Sequence, residues 1–393
     1  MADTAPAPSL VAEDAPGVAR TGILPFQLIR AMVREGDIPA DQDILPEQIQ
    51  PASLDLRLGH FAYRVRASFL PGPDASVMSR VRQLDGYPID LTTAAGAVLE
   101  RGCVYVIPLL ESLSLKGGLA GFANPKSSTG RLDVLTRLIS DRSAAFDEVE
   151  RDYAGPLYVE VAPRTFSIVV RTGTRLNQLR FRRGSPLLAS GELARLMEEG
   201  KLLQSEDSRQ SIKERLVGVT IDLKGAGRDS LVGWRAMKHT DRIDVDNVAG
   251  YDPLDFWEPI HFRRDPAIIL DPDEFYILAT REGVRVPPEL AAEMVAYHAG
   301  VGEFRVHYAG FFDPGFGWDT SKGESRAVLE VRSHGVPFML EHGQTIGWLR
   351  YERMAQRPDR LYGADLKSNY QGQGLALAKQ FRAPGGSGRL TPP

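Results

Sequence analysis

Apolar residues recur along the chain in short runs, and glycine, proline or aspartate separates most runs from the next. Four examples are residues 103–107, 157–161, 166–170 and 327–331. Their β-branched and aromatic residues favour strands, and short strands separated by turn residues are typical of a sandwich, jelly roll or barrel. The pattern predicts an all-β fold.

Two segments show helical spacing instead. Phe26 to Glu35 is amphipathic at the start of the regular pattern, and Gly191 to Lys201 is a second such segment near the middle of the chain. We therefore expect only a few short helices, one of which lies between two halves of the chain.

The two halves repeat each other at a separation of about 170 residues. Residues 173–181 correspond to residues 343–351. Earlier in each half, three residue pairs occur in the same order: Asp55 with Asp222, Tyr105 with Tyr276, and Glu160 with Glu330. This period far exceeds that of solenoid repeats, so each copy is expected to be a whole domain. The sequence predicts a duplicated β domain.

The repeat divides the chain into two predicted domains, a linker and two terminal segments. Residues 21–186 and 216–355 are predicted to form the two β domains, with a helical linker at 187–215. Residues 1–20 are rich in Ala and Pro and are expected to form a disordered tail. Residues 356–393 are expected to form a C-terminal flap followed by a second disordered tail.

Composition narrows the class of protein. The chain has 393 residues, 43% hydrophobic and 25% charged, which is typical of a globular protein. A net charge of −4 argues against a general nucleic-acid binder, and no apolar run approaches the roughly 20 residues that span a bilayer. The single Cys103 excludes an intrachain disulfide framework, so the cytoplasm is the expected location.

Metal catalysis finds little support in the sequence. A zinc deaminase needs His-x-Glu together with Pro-Cys-x-x-Cys, which one cysteine cannot supply. The seven histidines show no His-Glu-x-x-His spacing, and a Gly-x-Ser-x-Gly nucleophile elbow is absent. Any hydrolysis is therefore expected to use carboxylate chemistry.

The segment from Asn124 to Arg131 reads Asn-Pro-Lys-Ser-Ser-Thr-Gly-Arg. Its hydroxyls can donate to an anion while Lys126 and Arg131 neutralise the charge. A solvated polar turn is the alternative interpretation. In the second copy the matching residues 296–303 lack both serines and both cations, so the first copy's set is interpreted as specialised.

The segment 306–317 ends a β-rich run with Asp313-Pro-Gly, which is a tight turn signal. Its aromatic residues can stack on a base, or they can belong to the core of a β-hairpin. The matching region of the first copy, 142–155, has no Asp-Pro-Gly. The two copies have thus lost different motifs.

Glu330 lies within the apolar run 327–331. Strand alternation places Val328 and Glu330 on one face and Leu329 and Val331 on the other. Burial raises the pKa of a carboxyl group and suits it to proton transfer, although a structural Glu that binds an Arg is the alternative. Residues 365–374, rich in Gly and amide side chains, are interpreted as either a flap over a ligand or a loose surface segment.

Together these motifs resemble the dCTP deaminase branch of the dUTPase-like superfamily, above all its double-length bacterial members. The resemblance covers about residues 22–185 and 216–375. It implies two tandem dUTPase-like domains, each a distorted jelly roll or β-barrel. Single-domain relatives form trimers whose sites combine motifs from different subunits, so a homo-oligomer is expected.

The resemblance also implies roles for individual residues. Glu330, helped by the carbonyl of Ala309, would activate water without zinc. The substrate would be bound by a larger set, namely Lys126, Ser127, Ser128, Arg131, Tyr308, Asp313, Lys367, Tyr370, Gln371 and Gln373. Magnesium would arrive on the phosphates, with no ligand from the protein.

The implied reaction is hydrolysis of dCTP to dUTP and ammonia. The expected partner is this nucleotide, and neither a nucleic acid nor a membrane. A dUTP pyrophosphatase, or an enzyme that performs both steps, stays open because Asp313 could position water for it. A non-catalytic nucleotide-binding β module is the alternative from another class of protein.

Overall fold

The computed structural model describes residues 21–204, 212–225, 230–262, 264–295, 304–307, 310–319, 321, 323–333, 335–363 and 374–383. Strands predominate, and the helices are α1 (Phe26–Glu35), α2 (Val77–Gln83), α3 (Ser127–Gly130) and α4 (Ser190–Glu198), with 3-10 turns at Pro46–Gln48 and Pro253–Asp255. The predicted all-β class with a few short helices is confirmed. None of the helices among the described residues has the length and apolar character that a membrane crossing requires.

The first half contains strands β1 (Gly22–Ile23), β2 (Leu54–Arg57), β3 (Phe61–Val65), β4 (Tyr87–Asp90), β5 (Ala97–Leu99), β6 (Val104–Ser114), β7 (Leu119–Pro125), β8 (Val134–Ser140), β9 (Glu148–Val149), β10 (Ala154–Pro163), β11 (Ile168–Val170) and β12 (Arg175–Arg183). One sheet has the order β4-β3-β6-β10-β8. The other has the order β1-β12-β7-β9, with β2 also paired to β12.

The second half contains strands β13 (Leu203–Gln204), β14 (Ile212–Lys213), β15 (Leu216–Thr220), β16 (Leu231–Ala236), β17 (Ile243–Asp244), β18 (Trp257–His261), β19 (Ala267–Leu270), β20 (Phe275–Val284), β21 (Leu290–Val295), β22 (Phe304–His307), β23 (Phe311–Phe312), β24 (Arg326–Ser333), β25 (Phe338–Glu341) and β26 (Thr345–Arg353). Its sheets have the orders β18-β16-β20-β24-β22 and β14-β15-β26-β21-β23.

The order β4-β3-β6-β10-β8 corresponds strand by strand to β18-β16-β20-β24-β22, and β2-β12-β7-β9 corresponds to β15-β26-β21-β23, so the predicted duplication is a structural one. The antiparallel pair β5–β11 of the first copy likewise has its counterpart in β19–β25. The repeated tyrosines make the same contact in each copy. The hydroxyl of Tyr105 accepts the N–H of Glu100 at 2.9 Å, and that of Tyr276 accepts the N–H of Asp271 at 3.1 Å.

Local sequence explains the helix ends. α1 has the predicted bounds, and it ends where Gly36 adopts a left-handed φ of 78° and donates its N–H to the carbonyls of Met32 and Val33. The prediction for the second helix was too long. α4 ends at Glu198, not Lys201, because Gly200 takes a left-handed φ of 64° and terminates the helix.

The predicted strands exist with different lengths. The run 103–107 is the start of the longer β6, and 157–161 and 327–331 lie within β10 and β24. The run 166–170 is shorter, since only Ile168–Val170 is paired. These differences lie at strand ends, where apolar patterning carries least information.

The central sheet of the second copy is buried on both faces. Tyr276 and Leu278 of β20 point into a core that the second copy forms with the linker, whereas Phe275 and Ile277 point into a core shared with the first copy. Alternating side chains on a strand face opposite sides of the sheet. One face of this sheet is therefore the interface between the copies.

A strand also crosses between the copies. β17 of the second copy pairs in parallel with β11 of the first, with Ile168 opposite Ile243. Beside it, Arg171 donates two hydrogen bonds to Asp244, at 2.7 and 2.8 Å. The second copy thus extends a sheet of the first, which fixes the two halves against each other.

Candidate active site

The Lys-Ser-Ser-Thr-Gly-Arg segment connects β7 to β8 of the first copy. β7 ends at Pro125, and the chain then makes the single helical turn α3. Ser128 and Arg131 are buried, and the Nζ of Lys126 lies 2.5 Å from Oδ2 of Asp55. The segment is therefore not the freely solvated turn that was the alternative interpretation.

Glu330 lies on β24, on the face that is turned towards the first copy. Leu329 and Val331 belong to the core of the second copy, as strand alternation predicted, and Val328 packs against the shared core. Glu330 is only 6% exposed. Burial raises its pKa to about 8, against the opposing effect of the Arg131 cation.

The two motifs meet within one chain. The Nε of Arg131 lies 3.9 Å from Oε1 of Glu330, although the two residues belong to different copies. Both line a cavity of about 460 Å³. The Lys-Ser-Ser-Thr-Gly-Arg segment of the first copy and the carboxyl group of the second therefore line a single cavity.

The Asp313-Pro-Gly segment forms the predicted turn. The N–H of Phe316 donates to the carbonyl of Asp313 at 3.0 Å, and Gly315 has a left-handed φ of 96°. Asp313 lines the cavity, but its Oδ1 accepts a hydrogen bond from Arg180 at 3.1 Å. Burial raises the pKa of Asp313 against the opposing effect of Arg180.

Arg180 is a residue of the first copy that reaches into the second. It is fully buried on β12, donates to the carbonyl of Ala292 at 3.2 Å, and stacks 4.0 Å above the ring of Phe311. Arg180 thus fixes the position of the turn at Asp313 and packs against the ring of Phe311.

Residues 374–383 pass over the cavity at the end of the described chain. Arg131 donates to the carbonyl of Ala376 at 3.1 Å, and Gln380 donates to the carbonyl of Val245 at 2.7 Å. Lys379 lines the cavity, and burial together with the nearby Lys126 cation lowers its pKa. Phe381 anchors the segment, because its ring packs against Phe256 and Trp257.

Charged side chains of both signs line the cavity. The cationic residues that line it are Lys126, Arg131, Arg175, Arg326 and Lys379, and the carboxyl groups are Glu47, Asp55, Asp246, Asp313 and Glu330. The pKa of about 8 leaves Glu330 largely uncharged at neutral pH. The five cationic side chains can therefore outweigh the ionised carboxylates and attract a polyanion.

Six of the predicted residues lie outside the described residues. They are Tyr308, Ala309, Lys367, Tyr370, Gln371 and Gln373. The other six, Lys126, Ser127, Ser128, Arg131, Asp313 and Glu330, all line the same cavity. In the part of the chain that the structure describes, His, Cys, Asp and Glu form no group of three or more suited to a metal ion.

Comparison with known proteins decides the family. The family models of the N-terminal and C-terminal domains of 2'-deoxycytidine 5'-triphosphate deaminase match residues 20–185 and 189–381. A crystal structure of 2'-deoxycytidine 5'-triphosphate deaminase from Agrobacterium tumefaciens aligns with a TM-score of 0.82 and 52% identity. The alignment covers 86% of this chain and 100% of that one. The chain belongs to the dCTP deaminase family.

Shorter members of the dCTP deaminase family match about half of the chain or less. The dCTP deaminase of Natronomonas pharaonis is 26% identical over 195 residues, which is 48% of this chain and 90% of its own length. The dUMP-forming dCTP deaminase of Beutenbergia cavernae is 34% identical over 113 residues, 28% of this chain and 55% of its own length. Relatives of half this length agree with an internal duplication.

Within this dCTP deaminase fold, the first copy's counterpart of Glu330 has a different environment. Glu160 on β10 accepts a 3.0 Å hydrogen bond from Nε of Arg137 and pairs with the same guanidinium through Nη2. Arg137 also stacks 3.7 Å above the ring of Phe146. Arg137 therefore packs between the carboxylate of Glu160 and the ring of Phe146. Glu160 has the structural role, a glutamate that binds an arginine, which was the alternative interpretation of Glu330.

Three residues of the site were not predicted from the sequence. Asp55 was noted only as part of the repeat, whereas its carboxylate holds Lys126. Lys379 belonged to no motif. The available signal for Arg180 was its place in the repeat, where it matches Arg350. Lys379 had no such signal, because its segment lacks periodicity.

Proposed function

We propose that this chain hydrolyses dCTP to dUTP and ammonia at the cavity between its two copies. One observation carries the proposal: the buried carboxyl group of Glu330, with its pKa raised to about 8, lies 3.9 Å from Arg131 in a cavity that both residues line. Arg131 belongs to the segment 126–131, which is proposed as the phosphate motif. A group that titrates near neutral pH suits proton transfer in both directions. The family and the crystal structure from Agrobacterium tumefaciens support this choice of substrate.

The proposed mechanism uses Glu330 as a single proton carrier. The ionised form of Glu330, which is the minor form below about pH 8, takes a proton from water, and the hydroxide adds to the ring carbon that bears the amino group. Glu330 gives that proton to the ring nitrogen. It then transfers a second proton from the new hydroxyl group to the amino group, which leaves as ammonia. The carbonyl of Ala309 is proposed to hold the water, on the resemblance alone.

The triphosphate is proposed to lie against the first copy. Lys126, Ser127, Ser128 and Arg131 supply donors, and Lys379 of the segment 374–383 adds a cation. Each charge-assisted hydrogen bond contributes roughly 1.5–3 kcal/mol. Tyr308, Lys367, Tyr370, Gln371 and Gln373 join this set on the resemblance, and magnesium is proposed to enter on the phosphate oxygens.

A second candidate, formation of dUMP and pyrophosphate, follows from the dUMP-forming relatives. That reaction requires a group that positions water at the α-phosphate. In this chain the candidate for that group is Asp313 of the segment 306–317. Its Oδ1 accepts a hydrogen bond from Arg180. This contact favours deamination alone.

Product analysis tests the proposal. Incubation with dCTP and magnesium, followed by chromatography and an ammonia assay, is expected to show dUTP and ammonia in equal amounts. Accumulation of dUMP and pyrophosphate from dCTP would support the second candidate. Nucleotide binding without turnover would overturn both and favour a non-catalytic module.

A matched pair of variants tests the role of Glu330. Glu330→Gln is expected to abolish turnover while dCTP binding persists. Glu160→Gln changes the same residue at the equivalent place of the first copy and is expected to leave kcat within about twofold. Equal losses in the two variants would contradict the assignment of Glu330.

A further inference from the structure

Two ion pairs cross between the copies next to each other. Arg131 faces Glu330, and Asp133 binds Arg332, which lies two residues beyond Glu330 on the same strand. The charges are reversed from one pair to the next. The segment after the phosphate motif and β24 therefore contact each other through two consecutive and complementary charge pairs.

The second pair is buried and branched. Arg332 donates from Nη2 to Oδ2 of Asp133 and to the hydroxyl of Thr165 at 3.0 Å, and that hydroxyl donates to the same Oδ2 at 2.5 Å. Its Nη1 donates to the carbonyl of Asp273 in the second copy. One guanidinium thus ties two segments of the first copy to the sheet that carries Glu330.

We propose that Asp133 and Arg332 are positioning residues, which fix the distance between the phosphate motif and Glu330. Neither lines the cavity, so neither is placed to touch the substrate. Asp133 is two residues from Arg131, and Arg332 is two residues from Glu330. A shift of β24 along the interface would change the Arg131–Glu330 distance and break this pair at the same time.

Stability alone does not account for such a pair. Replacement of a buried ion pair by apolar residues is often neutral or stabilising, and the best-attested benefit of buried charges is a fixed register. The apolar core that the copies share does not select a register by itself, because the hydrophobic effect has no direction. Hydrogen bonds to a guanidinium do have direction.

The functional consequence follows from the division of the site. The proposal rests on the proposed deaminase function, in which the first copy holds the triphosphate and the second holds the reacting base. Misplacement by about 1 Å costs an enzyme on the order of 100-fold in rate. A shift between the copies would therefore impair turnover but leave each half-site intact.

Three variants test this role. Asp133→Asn keeps the size of the side chain and suits the left-handed φ of 55° at this position. Arg332→Met removes the partner, and the double variant removes both. Asp244→Asn is the matched control, because it breaks another ion pair between the copies, with Arg171, and does not line the cavity.

We expect Asp133→Asn and Arg332→Met to lower kcat/KM for dCTP by about 10- to 100-fold. Affinity for inorganic tripolyphosphate is expected to change by less than about twofold, because neither variant replaces one of its proposed ligands. The double variant is expected to recover thermal stability relative to Arg332→Met without recovering kcat/KM. Asp244→Asn is expected to keep wild-type kcat/KM.

Three results would overturn the positioning role while the wild type still deaminates dCTP: unchanged kcat/KM in the single variants, recovery of kcat/KM together with stability in the double variant, or loss of tripolyphosphate affinity. Failure of the proposed function is a different result, since the wild type itself would then produce no ammonia from dCTP.

Discussion

The Nε of Arg131 lies 3.9 Å from Oε1 of Glu330, and the two residues come from different copies of one domain. This contact brings an always-charged group beside a carboxyl group whose pKa burial raises to about 8. The titration of Glu330 therefore depends on how the copies meet. Burial of this carboxyl group also lowers the free energy of unfolding at any pH at which the unfolded chain ionises it.

Glu330→Gln is expected to stabilise the protein at neutral pH. Below pH 4.5 the carboxyl group is protonated in both folded and unfolded chains and costs nothing. Between pH 4.5 and about 8 the unfolded chain ionises while the folded one stays protonated, so wild-type stability falls as the pH rises. The difference is on the order of 4 kcal/mol by pH 8.

Thermal unfolding of wild type and Glu330→Gln at a series of pH values checks this. The difference in Tm should be small at pH 4 and grow up to pH 8. Glu160→Gln serves as the control, because it removes the partner of Arg137 and is expected to lower Tm. A constant difference at all pH values would contradict burial as the cause of the raised pKa.

Arg180→Met is expected to destabilise the protein by about 3–5 kcal/mol, because Asp313 would lose its buried partner. Chemical denaturation measures the loss. Arg182→Met, two positions along the same strand, removes a cation that lies 5.2 Å above the ring of Phe122 and is expected to cost less than about 1 kcal/mol. Similar losses for both would argue against a special role for Arg180.

Lys379→Gln is expected to raise the KM for dCTP about tenfold with kcat nearly unchanged, since a cation that contacts phosphate in both ground and transition states contributes uniform binding. Steady-state kinetics at two salt concentrations provides the measurement. Arg382→Gln, in the same segment but paired with Asp252, is the control and should leave KM unaltered. A fall in kcat alone would reject Lys379 as a phosphate ligand.

Arg137→Met is expected to lower stability without affecting turnover. The change leaves the buried Glu160 without its ion-pair partner and removes a cation from the ring of Phe146. Assays at a temperature well below the Tm of the variant should give wild-type kcat. A loss of kcat there would show that the first copy takes part in the chemistry.

Much of the architecture follows from patterning. Periodicity predicted the strands, the duplication and the face of β24 that carries Glu330, because alternation is a local property of the chain. The pairing of Asp55 with Lys126, 71 residues apart, and the reach of Arg180 into the second copy did not follow. The first contact depends on how strands far apart in sequence fold together, and the second depends on how the two copies pack. Neither periodicity nor motif spacing encodes these arrangements.

The strand that crosses from one copy to the other restricts how the enzyme can move. Many two-domain enzymes admit substrate by a hinge that swings the domains apart. Here that motion would unpair β17 from β11 and expose the aromatic contact between Phe166 and Trp257. Exposure of those two side chains alone would cost roughly 3–6 kcal/mol. Nucleotide exchange is therefore expected to proceed at a fixed domain angle, through rearrangement of loops at the rim of the cavity.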